Sequence, residues 1–150
     1  MCSSDLFEGC EESRPAPGVL EALRKTERIV ICPSNPMISV GPILAVPGIR
    51  EALRERREAV LAVCPLVGGK SLKGPSDKMM RQMGLQSSAL GVAKLYRDFC
   101  GTLMIDSADV RQKKAIESLG MKVVVAPTVM QTLGDKVRLA RAVVRAGLES

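Results

Sequence analysis

The sequence contains no histidine and no tryptophan, and its aromatic side chains are Phe7, Tyr96 and Phe99 alone. Without histidine, no Ser–His or Cys–His catalytic pair can be assembled within the chain. Zinc sites draw on cysteine or histidine at short paired spacing. The five cysteines, Cys2, Cys10, Cys32, Cys64 and Cys100, include no C-x-x-C pair, so no zinc site is expected. Their odd number and irregular spacing indicate no disulfide framework, and a reducing cytoplasm is the expected setting. Cys32 and Cys64 each end an apolar run and are expected to be core thiols. The scarcity of aromatics leaves Val, Leu, Ile, Ala and Met to build the core. It also removes the stacking platforms on which single-stranded nucleic acids are held. No apolar stretch reaches membrane-spanning length. Residues 1–6, Met-Cys-Ser-Ser-Asp-Leu, lack the basic start and apolar run of a signal peptide.

What remains is a chain of 150 residues, 46% hydrophobic and 25% charged, enough for one domain with a real core. Lysine and arginine number 22 against 16 acidic residues, a net charge of +6. The excess is not gathered into a basic tail, so nucleic acid is not an expected partner. It reads either as a solvated surface or as a site for phosphates or another anion.

Apolar patterning predicts alternating elements. Pro17–Thr26 reads as a short helix, and Arg28-Ile-Val-Ile-Cys-Pro as a strand buried on both faces, being a continuous β-branched run. A helix follows Pro47, a buried strand spans Ala59–Cys64, and Pro75 opens a helix with Met79, Met80 and Met83 on its apolar side. Ser88 is placed to cap the next helix. A strand over Thr102–Asp106, a helix over Val110–Leu119 stopped by Gly120, and a strand over Met121–Ala126 come next. A terminal amphipathic helix is expected over Asp135–Leu148, with Val137, Ala140, Val144 and Leu148 on its apolar side. This order predicts an α/β fold with a mainly parallel, Rossmann-like sheet and flanking helices. Such sheets bind ligands outside the carboxyl ends of their strands.

Two loops fall at those ends. In Pro33-Ser-Asn-Pro, Ser34 and Asn35 offer hydrogen-bonding groups on a backbone stiffened by prolines 33, 36 and 42, and Ser39 is placed to cap the next element. The same residues also suit a plain Asx or Ser turn. In Cys64-Pro-Leu-Val-Gly-Gly-Lys-Ser-Leu-Lys-Gly-Pro, Gly68 and Gly69 permit close backbone approach, and Lys70 and Lys73 supply two cations ahead of a helix opening. That loop reads as a phosphate cradle or as a flexible loop with solvated lysines. It is not a Walker A loop, since Cys64 stands where the first glycine is required, and no G-x-G-x-x-G occurs. Asp77 is expected to answer a helix dipole, and Asp106 to cap a helix, before either serves a metal.

The two loops, with their order and spacing, resemble the C-terminal half of the 2-phospho-L-lactate transferase family. The resemblance rests on Pro33-Ser-Asn-Pro, Ser39, Gly41-Pro-Ile-Leu-Ala-Val-Pro-Gly-Ile-Arg and Val67-Gly-Gly-Lys-Ser-Leu-Lys-Gly-Pro-Ser-Asp-Lys-Met-Met. It continues through Gly91-Val-Ala, Tyr96, Ile105-Asp and Thr128-Val-Met, covering about residues 7–148. Cys64 departs from a serine and Pro127 from a polar residue usual in the family. The resemblance implies transfer of a phospholactyl or phosphoenolpyruvyl group from a guanosine diphosphate-linked donor to 7,8-didemethyl-8-hydroxy-5-deazariboflavin. GMP would be released, in the biosynthesis of coenzyme F420. It implies Lys70 and Lys73 as catalytic cations. Ser34, Asn35, Ser39, Gly68, Gly69 and Gly74 would be nucleotide- or donor-binding residues. It also implies Mg2+, with no ligand in this chain and its acidic ligands in an N-terminal half that also carries a Gly-rich first turn. Residues 7–150 are accordingly expected to be the C-terminal part of a larger transferase domain, inactive alone and homodimeric at full length, with residues 1–6 a non-native leader. The alternative is a non-catalytic nucleotide- or nucleotide-sugar-binding module of the same superfamily.

Overall fold

The computed structural model describes residues 9–148. The expected leader, Phe7, Cys2 and the side chain of Leu148 lie outside the described part. The strands are β1 (Ile29–Ile31), β2 (Val60–Val63), β3 (Leu66–Val67), β4 (Lys70–Ser71), β5 (Thr102–Ile105) and β6 (Lys122–Val125). The helices are α1 (Val19–Lys25), α2 (Gly41–Ala45), α3 (Ile49–Glu55), α4 (Ser76–Gln82), α5 (Ala89–Tyr96), α6 (Lys113–Glu117) and α7 (Leu133–Leu148). Four strands form one parallel sheet in the order β1-β2-β5-β6. The alternation of helix and strand thus yields the expected α/β architecture. No helix among the described residues is long and apolar enough to cross a membrane.

Successive strand residues point to opposite faces, and the sheet divides its apolar residues accordingly. Val60, Ala62, Leu103 and Ile105 pack on one face against Leu53 of α3, Met80 of α4, Val92, Ala93 and Tyr96 of α5, and Ile116 of α6. Leu61, Val63 and Met104 face the other way and meet Leu139, Ala142, Val143 and Ala146 of α7. The central strands β2 and β5 are therefore fully buried along their length. Both need continuous apolar runs, which their sequences supply.

Several local expectations are corrected. β1 is three residues long and sits at the sheet edge, with Val30 47% exposed. Its β-branched run signals a strand, but only one side has a neighbour. Cys32 lies just beyond it and is exposed, whereas Cys64, ending the central β2, is buried as expected. The loop after β1 is shaped by Asn35, not Ser39. The Asn35 carboxamide oxygen accepts from the N–H groups of Met37 (2.9 Å) and Ile38 (3.3 Å), opening a π-helical turn, Pro36–Val40, that contains Ser39. The segment over Val110–Leu119 begins earlier, as a 3-10 turn from Ser107 to Gln112, and becomes α-helical only at Lys113.

The largest correction concerns α7. It forms from Leu133 onward, but it packs through Leu139, Ala142, Val143 and Ala146, while Val137 and Val144 are 42% and 63% exposed. The helix carries two apolar stripes, and the sheet takes the one with the smaller residues. Burying a leucine such as Leu139 contributes about 1.5–3 kcal/mol.

Candidate functional site

A cavity of about 480 Å³ opens at the carboxyl ends of β1, β2 and β6. Pro33, Asn35 and Ser39 reach it from the turn after β1, and Cys64 and Pro65 from the end of β2. Thr128 and Met130 come from the segment after β6. Lys73, Gly74, Pro75 and Ser76 come from the connection between β4 and α4, and Lys136 from the first turn of α7. Open parallel sheets commonly bind ligands outside the carboxyl ends of their strands, and here, among the described residues, only α7, after β6, leaves to the opposite face.

The Gly- and Lys-rich segment is a miniature hairpin, not an open loop. β3 and β4 pair antiparallel, Leu66 with Ser71 and Val67 with Lys70. Gly68 and Gly69 form its two-residue turn with φ of +59° and +77°. Two successive left-handed residues are what a tight hairpin turn requires, and glycine adopts them without steric cost. The turn is tied down: Gly68 N–H donates to Asp109 Oδ2 at 2.9 Å, and the Gly69 carbonyl accepts from Ser87 Oγ at 2.7 Å. The hairpin thus carries the chain from the buried end of β2 out to Lys73.

Of the candidate residues in the sequence, the structure gathers Asn35, Ser39, Lys73 and Gly74 around the cavity. Gly68 and Gly69 shape the hairpin and are not in its wall, and Lys70 is exposed on β4. Ser34 lines a separate apolar groove beside β1 with Ile29, Ile31 and Ile43. The Asn35 side chain is largely committed to its own turn, and its Nδ2 contacts Met79 Sδ at 3.5 Å. Lys136, Thr128 and Ser76 join the wall without being candidates from sequence. Thr128 and Ser76 lie within the motifs that carry the resemblance. For Lys136 no local pattern exists, because it stands on a helix remote in sequence from both loops.

The chemistry of the wall is one-sided. It contains Lys73 and Lys136 and no carboxylate. Among the described residues neither lysine forms an ion pair. Two cations of separate elements at one cavity, with no carboxylate in its wall, give it a positive character. Thr128 is fixed from behind. Asp106, which caps the turn after β5 through Ala108 N–H (2.9 Å), accepts from Thr128 N–H at 2.8 Å and from its hydroxyl at 3.1 Å. Burial pushes the Asp106 carboxyl up, but the hydrogen bonds from Ala108, Thr128 and Val129 outweigh it and hold the group below the ordinary carboxylate range. Asp106 is therefore a fixed anion that orients Thr128. Asp77, expected to answer a helix dipole, lies in the first turn of α4 and pairs with Arg81 at 2.7 Å.

Cys64 lies in the wall, 2% exposed. Burial is the main cause pushing its thiol up to about 12, with the Asp109 charge adding to this and a hydrogen bond with the Leu66 backbone opposing it. It is a neutral thiol near pH 7, and not an activated nucleophile. Magnesium requires hard oxygen ligands, usually carboxylates. Asp106 and Asp109 are both consumed by hydrogen bonds, and the described residues bring together no group of three acidic, thiol or imidazole ligands. The described residues do not fit a magnesium site of their own.

The family model of 2-phospho-L-lactate transferase CofD matches residues 2–140. The 2-phospho-L-lactate transferase of Methanothermobacter thermautotrophicus is 42% identical over 128 residues, covering 85% of the chain but 41% of that protein. Those of Methanosarcina mazei and Methanocaldococcus jannaschii are 40% and 34% identical, each over 93% of the chain and 46% and 43% of their own lengths. The chain therefore spans less than half the length of these curated relatives.

Proposed function

The chain belongs to the 2-phospho-L-lactate transferase CofD family, and from that membership we propose that its cavity holds the phosphate groups of a guanosine diphosphate-linked donor. In the complete protein the donor gives up a phospholactyl or phosphoenolpyruvyl group to 7,8-didemethyl-8-hydroxy-5-deazariboflavin. A ribityl hydroxyl attacks phosphorus, the bond to the GMP leaving group breaks, and negative charge builds on the phosphoryl oxygens. Such a reaction asks the protein for alignment and for cations placed where that charge develops. Lys73 and Lys136 supply the cations; Ser39, Thr128 and the backbone around Gly74 orient the donor. Lys70, outside the wall, adds a positive charge on the β3–β4 hairpin.

The observation that carries this reading is the pair of lysines, brought from separate elements to a carboxylate-free cavity at the sheet's carboxyl end. A GMP-release assay tests it. In a protein of family length carrying this segment, Lys73→Met is expected to lower kcat/KM by about 10²-fold or more; unchanged turnover removes Lys73 from the chemistry. The cavity wall also contains no group suited to act as a general base, which favours a binding-only module as the second reading. Donor binding without any GMP release by the family-length protein would establish that alternative.

A further inference from the structure

Among the described residues, the second apolar stripe of α7 has no partner. Leu133, Val137, Ala140 and Val144 recur at spacings of four, three and four residues, as the a and d positions of a heptad do. Leu133 is 76% exposed, and a groove of about 500 Å³ runs along Val137, Ala140 and Val144. Arg141 and Arg145 border that groove, and Arg138 borders its continuation past Leu133. The acidic residue of the first turn, Asp135, is already engaged by Arg138 at 2.8 Å and by Gln131 and Thr132. The seam is therefore apolar with cationic borders.

Those borders choose between occupants. Laying the seam against a second copy sets arginine against arginine, a like-charge arrangement that specific helix pairs avoid. A lipid surface would match the charge, but the seam offers no Trp, Tyr or Phe, only valine, alanine and one leucine, a weak interfacial anchor. Heptad spacing with a small residue at its centre suits the knobs of another helix. Two further facts point to where that helix comes from. Among the described residues the α7 face of the sheet is covered by that helix alone, and Val30 of β1, in register with Leu61 of that face, stands open. The relatives are more than twice as long as the matched stretch. We propose that the outward face of α7 docks an amphipathic α-helix with acidic flanks, contributed by the portion of the family's length that this chain does not span. Nothing in this docking depends on what fills the phosphate cavity.

The test reads association, not activity. The chain is co-expressed with a tagged portion of the Methanothermobacter thermautotrophicus relative that it does not match, and co-purification is quantified. Wild type is expected to be captured. The Val137→Glu/Val144→Glu pair is expected to reduce capture about tenfold or more, and Arg141→Glu to weaken it in the same direction. Both valines are exposed, so thermal unfolding of the double variant should stay close to wild type, separating lost docking from lost folding. Failure to capture wild type, or capture unaffected by the valine changes, overturns the proposal. So does a dimer of the chain itself that the same changes dissolve in analytical ultracentrifugation, which assigns the seam to a second copy. Binding to phosphatidylserine vesicles that the same changes abolish assigns it to a lipid surface, and equally overturns it.

Discussion

Positive charge is arranged differently at the two ends of the sheet. At the amino ends a groove of about 700 Å³ is bordered by Arg54, Arg56 and Arg57 together with Glu27, Glu55 and Glu58. Its arginines are occupied: Arg54 with Asp98 at 2.7 Å, Arg56 with the Thr26 carbonyl at 2.8 Å, and Arg57 with the carbonyls of Arg97 and Gly120 at 2.8 and 2.6 Å. At the carboxyl ends a smaller cavity of about 480 Å³ holds two lysines and no acid. The larger opening is stapled by these arginines, whose guanidinium forks satisfy backbone carbonyls or, for Arg54, the Asp98 carboxylate, and its lysine, Lys122, shares the wall with three glutamates. The smaller keeps its cations uncommitted. Net charge alone does not separate the two ends; the amino-end groove mixes its cations with three glutamates, whereas the carboxyl-end cavity has lysines and no carboxylate in its wall.

The sharpest way to break this contrast is to remove both free cations. Lys73→Met with Lys136→Met is expected to weaken GDP binding by about 3–5 kcal/mol, two charge-assisted contacts of the usual size, in calorimetric titration of the chain. The next largest effect concerns the support behind the cavity. Asp106→Asn leaves donors of the Thr128 segment poorly answered and is expected to cost about 2 kcal/mol of stability. Because the folded Asp106 carboxyl lies below its ordinary value of 3.8, its contribution is fully present above that value and is lost as pH falls through the lower folded one. Acid unfolding curves should therefore be shallower in Asp106→Asn than in wild type. At the opposite end, Arg57→Met is expected to cost about 1–2 kcal/mol in denaturant unfolding, since two carbonyls lose a donor, while leaving GDP affinity unchanged. The smallest effect is expected of Lys70→Met, on exposed β4: a change in affinity of less than about 0.5 kcal/mol that disappears at high salt.

Much of this arrangement is legible in the residues. Continuous apolar runs locate β2 and β5, Ser88 and Asp106 read as caps, and the two chemically unusual loops mark the carboxyl end of the sheet. The hairpin escapes because its strands are two residues each, too short for any periodic signal. Pairing there is announced only by Gly68-Gly69, which also suits a phosphate loop. Lys136 escapes because nothing local marks a lysine that tertiary folding brings to a distant cavity. On α7 two apolar stripes coexist, and helical periodicity cannot say which one meets the sheet. That choice is measurable: Leu139→Ala is expected to cost about 2–4 kcal/mol and Val137→Ala less than about 0.5.

The contrast between the two ends is tested most directly by two-dimensional amide NMR of the chain titrated with inorganic pyrophosphate. The predicted result is a set of shifted amides confined to the carboxyl end, at Ser39, Lys73, Gly74, Ser76, Thr128 and Lys136, and reduced in Lys73→Met. Shifts centred on Arg56, Arg57 and Lys122, or spread evenly over the surface, would contradict it.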